Sequence, residues 1–336
     1  MANNLPTPGA DEAGGIRGFW LSPKIQFYKP EIFAATAFLA LLLFLSGYPK
    51  TSASFLSAEN FLNVTRQVSM NAIIACGMTF AILMGGIDLS VGSVVAVSGM
   101  IAGDCMMRMG LPVPVSIIIA LIGGSLFGVF NGAVAALTNV PPFIATLGTM
   151  SVGRGLSLLF RAGYAISDLP ESFNRIGQGD VFGIPYATII LVLMIFFSWF
   201  LLHKTVFGRS VFALGWSKET LRLSGVSVKW VKMRIFTYVA FCSAIAGVIM
   251  TSRVGSAQPM AGSGWEMDAI AAVVIGGGNI AGGRATIIGT IIGALLLGFL
   301  GNGLNLMGVS PYLQIIFKGF VILAAVFARS GWSEKR

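Results

Sequence analysis

Apolar residues fill this chain in long continuous blocks, not in the alternation of a half-buried strand or the one-sided stripe of a soluble helix. Blocks bounded by Gly, Pro and charge predict ten spans, at 32–48, 69–86, 90–107, 113–138, 142–160, 184–203, 235–253, 267–281, 286–304 and 311–328. A hydrocarbon core of about 30 Å needs about 20 apolar residues per helix, so the pattern predicts an all-α integral membrane protein with about ten transmembrane helices. The expected organisation is a polar tail over 1–30, a transmembrane domain over 31–328 and a short tail over 329–336. The eighth span is short and rich in glycine, and is expected to be broken or partly re-entrant.

Composition agrees with this reading. Of 336 residues, 55% are hydrophobic and 10% charged, where a soluble domain carries roughly 25% charged residues. Residues 1–30 hold Pro6, Pro8, Gly14, Gly15 and Pro23 but no short apolar core with a small-residue cleavage site. The expectation is that no secretory signal is removed and that Ile32–Tyr48 is an uncleaved first span. The net charge of +9 is not interleaved with a soluble aromatic surface, which excludes nucleic acid as a partner and leaves the lipid bilayer.

The basic residues report topology instead. Arg17, Lys24 and Lys29 precede the first span, Arg284 lies before the ninth, and Arg329, Lys335 and Arg336 follow the last. The 204–234 segment holds Lys204, Arg209, Lys218, Arg222, Lys229, Lys232 and Arg234 against Glu219 alone. In 161–183, Asp168, Glu171 and Asp180 outnumber Arg161 and Arg175. The positive-inside rule then puts both termini and the 204–234 loop in the cytoplasm.

Glycine is the other departure, with 43 residues against a usual share of about 7%. Gly124, Gly128 and Gly132 recur at every fourth position, as do Gly289 and Gly293, a spacing read as helix-packing faces. Two glycine-rich breaks are candidate pathway elements: Gly85-Gly86-Ile87-Asp88-Leu89-Ser90 and Gly276-Gly277-Gly278-Asn279. A carboxylate at Asp88 needs a partner. Either Asp88 or Ser90 caps the next helix, or the break is a discontinuous helix beside a polar pathway.

Within 204–234, Ser217 reads as an N-cap and Gly225 as a stop, enclosing a short surface helix that rests on anionic lipid or meets a partner. Arg154 and Lys318 read as snorkelling residues or pore-liners, and His203 as an interfacial residue. Cys76, Cys105 and Cys242 have no metal-ligand or disulfide spacing. No phosphate loop, HExxH or nucleophile–histidine pair is present, so the chain is expected to be no enzyme, with no catalytic residue, cofactor or metal of its own.

GGIDLSVGSVVAVSG at 85–99, RLSGVSV at 222–228, SAQPMAGSGWEMDAIAAVVIGGGNIAGG at 256–283 and GNGLNLMGVSPYLQIIFKG at 301–319 resemble the permease subunits of the ribose, galactose and xylose ABC importer family, closest to its ribose-type branch. The resemblance implies a type II ABC importer fold and two permease copies, identical or similar. It also implies a periplasmic sugar-binding protein and a cytoplasmic tandem-domain ATPase that binds ATP-Mg. It assigns ATPase coupling to Ser217, Lys218, Glu219, Thr220, Leu221, Arg222, Leu223, Ser224 and Gly225. The chain has Trp216-Ser217 where relatives commonly have Gly-Asn, and Gly278-Asn279 where they have Thr-Ser or similar. The alternative from the residues alone is an ion-coupled secondary sugar transporter.

Overall fold

The computed structural model describes residues 23–49, 51–138 and 140–333. The expectations for residues 1–22, with Arg17, and for Lys335 and Arg336 lie outside the described residues. The described chain is almost wholly helical: α1 Pro23–Gly47, α2 Ser52–Phe55, α3 Ala58–Leu83, α4 Val91–Met107, α5 Val113–Leu137, α6 Pro142–Leu159 and α7 Glu171–Gln178. A two-residue hairpin, Asp180–Val181 with Ile184–Pro185, follows. Then come α8 Tyr186–Lys204, α9 Val206–Trp216, α10 Lys218–Leu223, α11 Val228–Val254, α12 Trp265–Ile275, α13 Ile287–Leu306 and α14 Pro311–Ser333.

Six of these helices, α1, α3, α5, α8, α11 and α13, are long and apolar enough to cross a membrane. α3 and α11 begin well before the predicted apolar blocks. Their first turns hold Glu59, Asn60, Asn63 and Arg66, and Lys229, Lys232 and Arg234, which an apolar count discards although the helical hydrogen bonding continues through them. The eighth element ends at Ile275, short of the predicted 281, because Gly277 takes φ +97° and the chain leaves the helix there.

Burial separates inner from outer helices. The apolar windows of α3 and α11 are 83% and 78% buried, against 17% for α1 and 22% for α5. α5 shows how the outer helices are built. Ile118, Ile122, Leu126 and Phe130 form an exposed stripe, while Gly124, Gly128 and Gly132 face α11 on the opposite side. A Cβ on Gly128 would stand 2.7 Å from Ala240 Cβ, and one on Gly132 would stand 2.6 Å from Met233 Cα. The large side chains point outward and the small ones inward, the arrangement of a helix whose outer solvent is lipid.

α3 and α11 run antiparallel, with Gly77 against Val239 and Cys242 and the Phe80 ring 4.9 Å from that of Tyr238. α4 runs parallel to α11, placing Gly99 against Thr251 and Gly103 against Ala257. α13 runs antiparallel to α3, through Thr79–Thr290 at 2.8 Å and Asn60–Asn302 at 2.8 Å, and α12 antiparallel to α13. Two units therefore repeat with opposite sense: a long inner helix, a non-helical segment and a short apolar helix, as α3–α4 and as α11–α12. Seventeen and eleven residues give α4 and α12 lengths of about 25 and 16 Å, short of a bilayer core.

Candidate functional site

The non-helical segment before α4 is built around Asp88, whose side chain is wholly buried. Asp88 Oδ1 accepts the Ser90 backbone N–H at 2.9 Å and the Ser90 hydroxyl at 2.6 Å. Asp88 thus closes a turn onto Ser90 just ahead of α4, and neither side chain bonds a free amide of that helix; the Ser90 hydroxyl serves as a link. Asn131 Nδ2 donates to Ser90 Oγ at 2.9 Å, and Thr149 Oγ1 donates to Asn131 Oδ1 at 2.7 Å. Thr146 Oγ1 donates to Ile87 O at 3.2 Å and accepts Leu89 N–H at 3.1 Å. The network ties the break to α5 and α6 through the buried side chains of Ser90, Asn131, Thr146 and Thr149. Asp88 Oδ2 alone has no hydrogen-bond partner among protein atoms. The side-chain cap offered as one alternative from sequence is not formed; the non-helical break before α4 is.

The corresponding segment of the second unit runs from Gly255 to Gly264, both with positive φ. Ala257 pairs with Ile166 in an isolated bridge, at 3.0 and 2.9 Å. Arg154 Nη1 donates to Pro259 O at 2.9 Å and Ala261 O at 3.0 Å, and Ser157 Oγ donates to Pro259 O at 2.8 Å. Arg154 therefore holds the backbone of this segment in place. α12 then begins beside the start of α4, with Gly92 packed on Gly262 O and on the Glu266 carboxylate. The positive ends of two short helices meet inside the bundle, with Asp88 at one and Glu266 and Asp268 at the other. Asp268 accepts an ion pair from Lys318 at 2.9 Å, with side chains 20% and 31% exposed. Polar groups of this kind lie at membrane depth where they face protein or a water-filled space.

The second glycine-rich break, 276–286, leaves α12 at the opposite end. Gly277, Gly282 and Gly283 take φ of +97°, +95° and +78°, which side-chain-bearing residues rarely adopt. Asn279 N–H donates to Arg284 O at 2.6 Å and Gly282 N–H to Asn279 O at 2.9 Å. Gly289 and Gly293 pack on the backbone of Gly276 and Ala272, letting α13 lie directly against this turn. Arg284 donates to Glu31 of α1 at 3.0 Å, and Thr286 Oγ1 to the other Glu31 oxygen at 3.3 Å. Gly283 N–H donates to Leu83 O at 2.9 Å, and a Cβ on Gly85 would stand 3.1 Å from Ala281 O, so the 276–286 break abuts the one after α3.

Beside them lies the short helix α10. Ser217 Oγ accepts Thr220 N–H at 3.2 Å, and Gly225 takes φ +75° beyond its C-terminus. Arg222 pairs with Glu219 at 2.7 Å on the surface. The two leucines differ: Leu221 is 2% exposed and packs into the protein's own core, whereas Leu223 is 78% exposed. Lys218 and Thr220 are also exposed, so α10 offers a mixed apolar and charged face with none of the described residues upon it.

Comparison with known proteins decides what this arrangement belongs to. Residues 60–326 match the family model described as the branched-chain amino acid transport system permease component. The chain is 46% identical to the ribose import permease protein RbsC of Bacillus subtilis over 292 residues, covering 86% of this chain and 90% of that one. It is 45% identical to RbsC of Haemophilus influenzae over 304 residues, with 89% and 94% coverage. It is 32% identical to the xylose transport system permease protein XylH of Escherichia coli, with 89% and 91% coverage. The chain belongs to this permease family. No solved structure matches it. It is a multi-pass membrane permease.

In the permease, Gly85, Gly86, Asp88 and Ser90 lie in one interior break, and Gly276, Gly277, Gly278 and Asn279 in another that touches it. Ser217–Gly225 form the adjoining surface helix, and His203 is exposed, stacked on Trp199. Sequence reasoning passed over Asn131, Thr146, Thr149 and Glu31. Each is a lone polar residue in or beside an apolar block, and its partner is 18 to 255 positions away. Glu31, just ahead of the first span, was the legible one, since a carboxylate at a span edge needs a cation.

Proposed function

We propose that this chain is the membrane-spanning subunit of an ATP-driven sugar importer of the bacterial inner membrane. The observation that carries this reading is its 40–46% identity, over nearly the full length of both chains, to proteins named as ribose import permeases. A monosaccharide is therefore the substrate class, and ribose the first member to test. The family description names branched-chain amino acids, but the individual relatives, including those named for allose and xylose, favour sugar.

In this reading all ten predicted spans belong to the membrane unit, with α4, α6, α12 and α14 joining α1, α3, α5, α8, α11 and α13. Both termini and the basic 204–234 segment face the cytoplasm. Two copies, identical or similar, enclose the pathway. A tandem-domain ATPase docks on α10, and a periplasmic binding protein delivers the sugar. Transport proceeds by alternating access, in which ATP binding draws the ATPase domains together and the paired permeases open to each side in turn. The permease needs only weak sugar contacts, because affinity resides in the binding protein.

An ion-coupled carrier is the second reading, favoured by the buried Asp88 carboxyl with an unpartnered oxygen. Energetics separates the two. Uptake of labelled ribose by cells expressing the complete transport system should collapse on arsenate depletion of ATP and survive a protonophore applied with ATP maintained. Uptake abolished by the protonophore alone, at constant ATP, would favour the carrier.

A further inference from the structure

Three chain segments converge at the C-terminal end of α9, just ahead of α10. Gly283 N–H, at the end of the 276–286 break, donates to the carbonyl of Leu83, the last residue of α3. Gly215, near the end of α9, lies on both. A Cβ there would overlap Leu83 O and stand 2.8 Å from Gly283 N. A Cβ on Gly282 would stand 2.9 Å from Gly85 N, so the two breaks touch without an intervening side chain. Backbone against backbone is a stiff contact, because no rotamer can absorb a displacement. α9 passes its hydrogen bonding directly toward α10: Ser217 N–H donates to Ala213 O at 2.9 Å while its hydroxyl caps α10. From the far side, Glu31 holds Arg284 and Thr286.

We infer that Gly215 is a positioning residue through which displacement of α10 reaches both helix breaks at once. A push on exposed Leu223 turns α10 and α9 as a connected piece. At Gly215 it bears on Leu83, behind the segment that holds Asp88, and on Gly283, behind the turn that ends α12. Two breaks 190 residues apart in sequence are thereby shifted together, while the Glu31–Arg284 pair anchors the distal side of the second. This inference rests on the importer reading, which supplies the partner that moves α10, and adds to it the route by which that movement enters the bundle.

The test uses the full chain purified with its co-purifying ATPase and reconstituted with binding protein and labelled ribose. Gly215→Ala should recruit the ATPase as the unaltered chain does, because Gly215 is not on the exposed face of α10, yet lower sugar moved per ATP hydrolysed at least tenfold. Unchanged sugar per ATP would overturn the inference. Should Gly215→Ala fail to reach the membrane, the junction is read in the unaltered chain, because Gly283 on its other side takes φ +78° and accepts no side chain without strain. Amide exchange of the unaltered complex reads it without substitution. Protection across 276–286 should change between nucleotide-free and ATP-trapped states, and identical protection would overturn the inference. Absence of any ATPase with the unaltered chain would instead sink the importer reading and remove the source of the movement. Normal recruitment with a coupled Gly215→Ala sinks only the junction.

Discussion

At the scale of single residues, the interior of this permease is organised by polar groups that satisfy one another where water is scarce. Asn131 is the clearest case: its amide donates to Ser90 and accepts from Thr149, joining α5 to the start of α4 and to α6. Replacing it with Leu removes both bonds. Ser90 keeps its donation to Asp88, and Thr149 keeps Thr146 O at 3.1 Å, so neither hydroxyl is stranded. The expected cost is roughly 1–3 kcal/mol for the two bonds together, at the lower end because bonds inside membrane bundles average about 0.6 kcal/mol. Asn131→Leu should lower the thermal unfolding midpoint in detergent by a few degrees while the protein still reaches the membrane. An unchanged midpoint would mean that the bonds contribute nothing net.

At the scale of elements, the contrast between Leu221 and Leu223 decides how α10 is tested. Leu223→Asp places a charge on a 78%-exposed surface, leaving the permease folded; it should sharply reduce ATPase recovery and abolish uptake. Leu221→Asp buries a carboxylate in the permease's own core, a cost of several kcal/mol, and should reduce the amount of permease in the membrane. Full uptake by Leu223→Asp at normal expression would exclude this face as the docking surface. Sequence alone treats the two leucines alike, because a six-residue helix is too short for periodicity to tell its faces apart.

The breaks were more legible than the contacts across them. Gly-Gly followed by a carboxylate, and Gly-Gly-Gly-Asn, mark departures from helix by local conformational preference. That Gly85 meets Ala281 and that Gly283 bonds Leu83 depends on the antiparallel packing of α3 against α13, which no local pattern encodes. Arg154 and Lys318 were visible as anomalies, but their partners, the carbonyls of Pro259 and Ala261 and the carboxylate of Asp268, come from distant segments. The polar first turns of α3 and α11 were missed because an apolar count stops where helices leave the hydrocarbon.

At the scale of the molecule, large apolar side chains both cover the outer helices and fill the core around α3 and α11, glycine lets neighbouring helices approach, and polar groups gather at interrupted helices. The repeated unit of long helix, break and short helix places two short-helix N-termini against each other and two glycine breaks against α9. In the proposed importer, such an assembly would move as rigid pieces about its breaks. The source of the movement is the central claim. It is tested most directly by purifying the tagged chain from its native membrane in mild detergent and identifying what accompanies it. The account predicts two permease copies with a tandem-domain ATPase. Recovery of the permease without any ATPase, from membranes in which ribose uptake is intact, would contradict it.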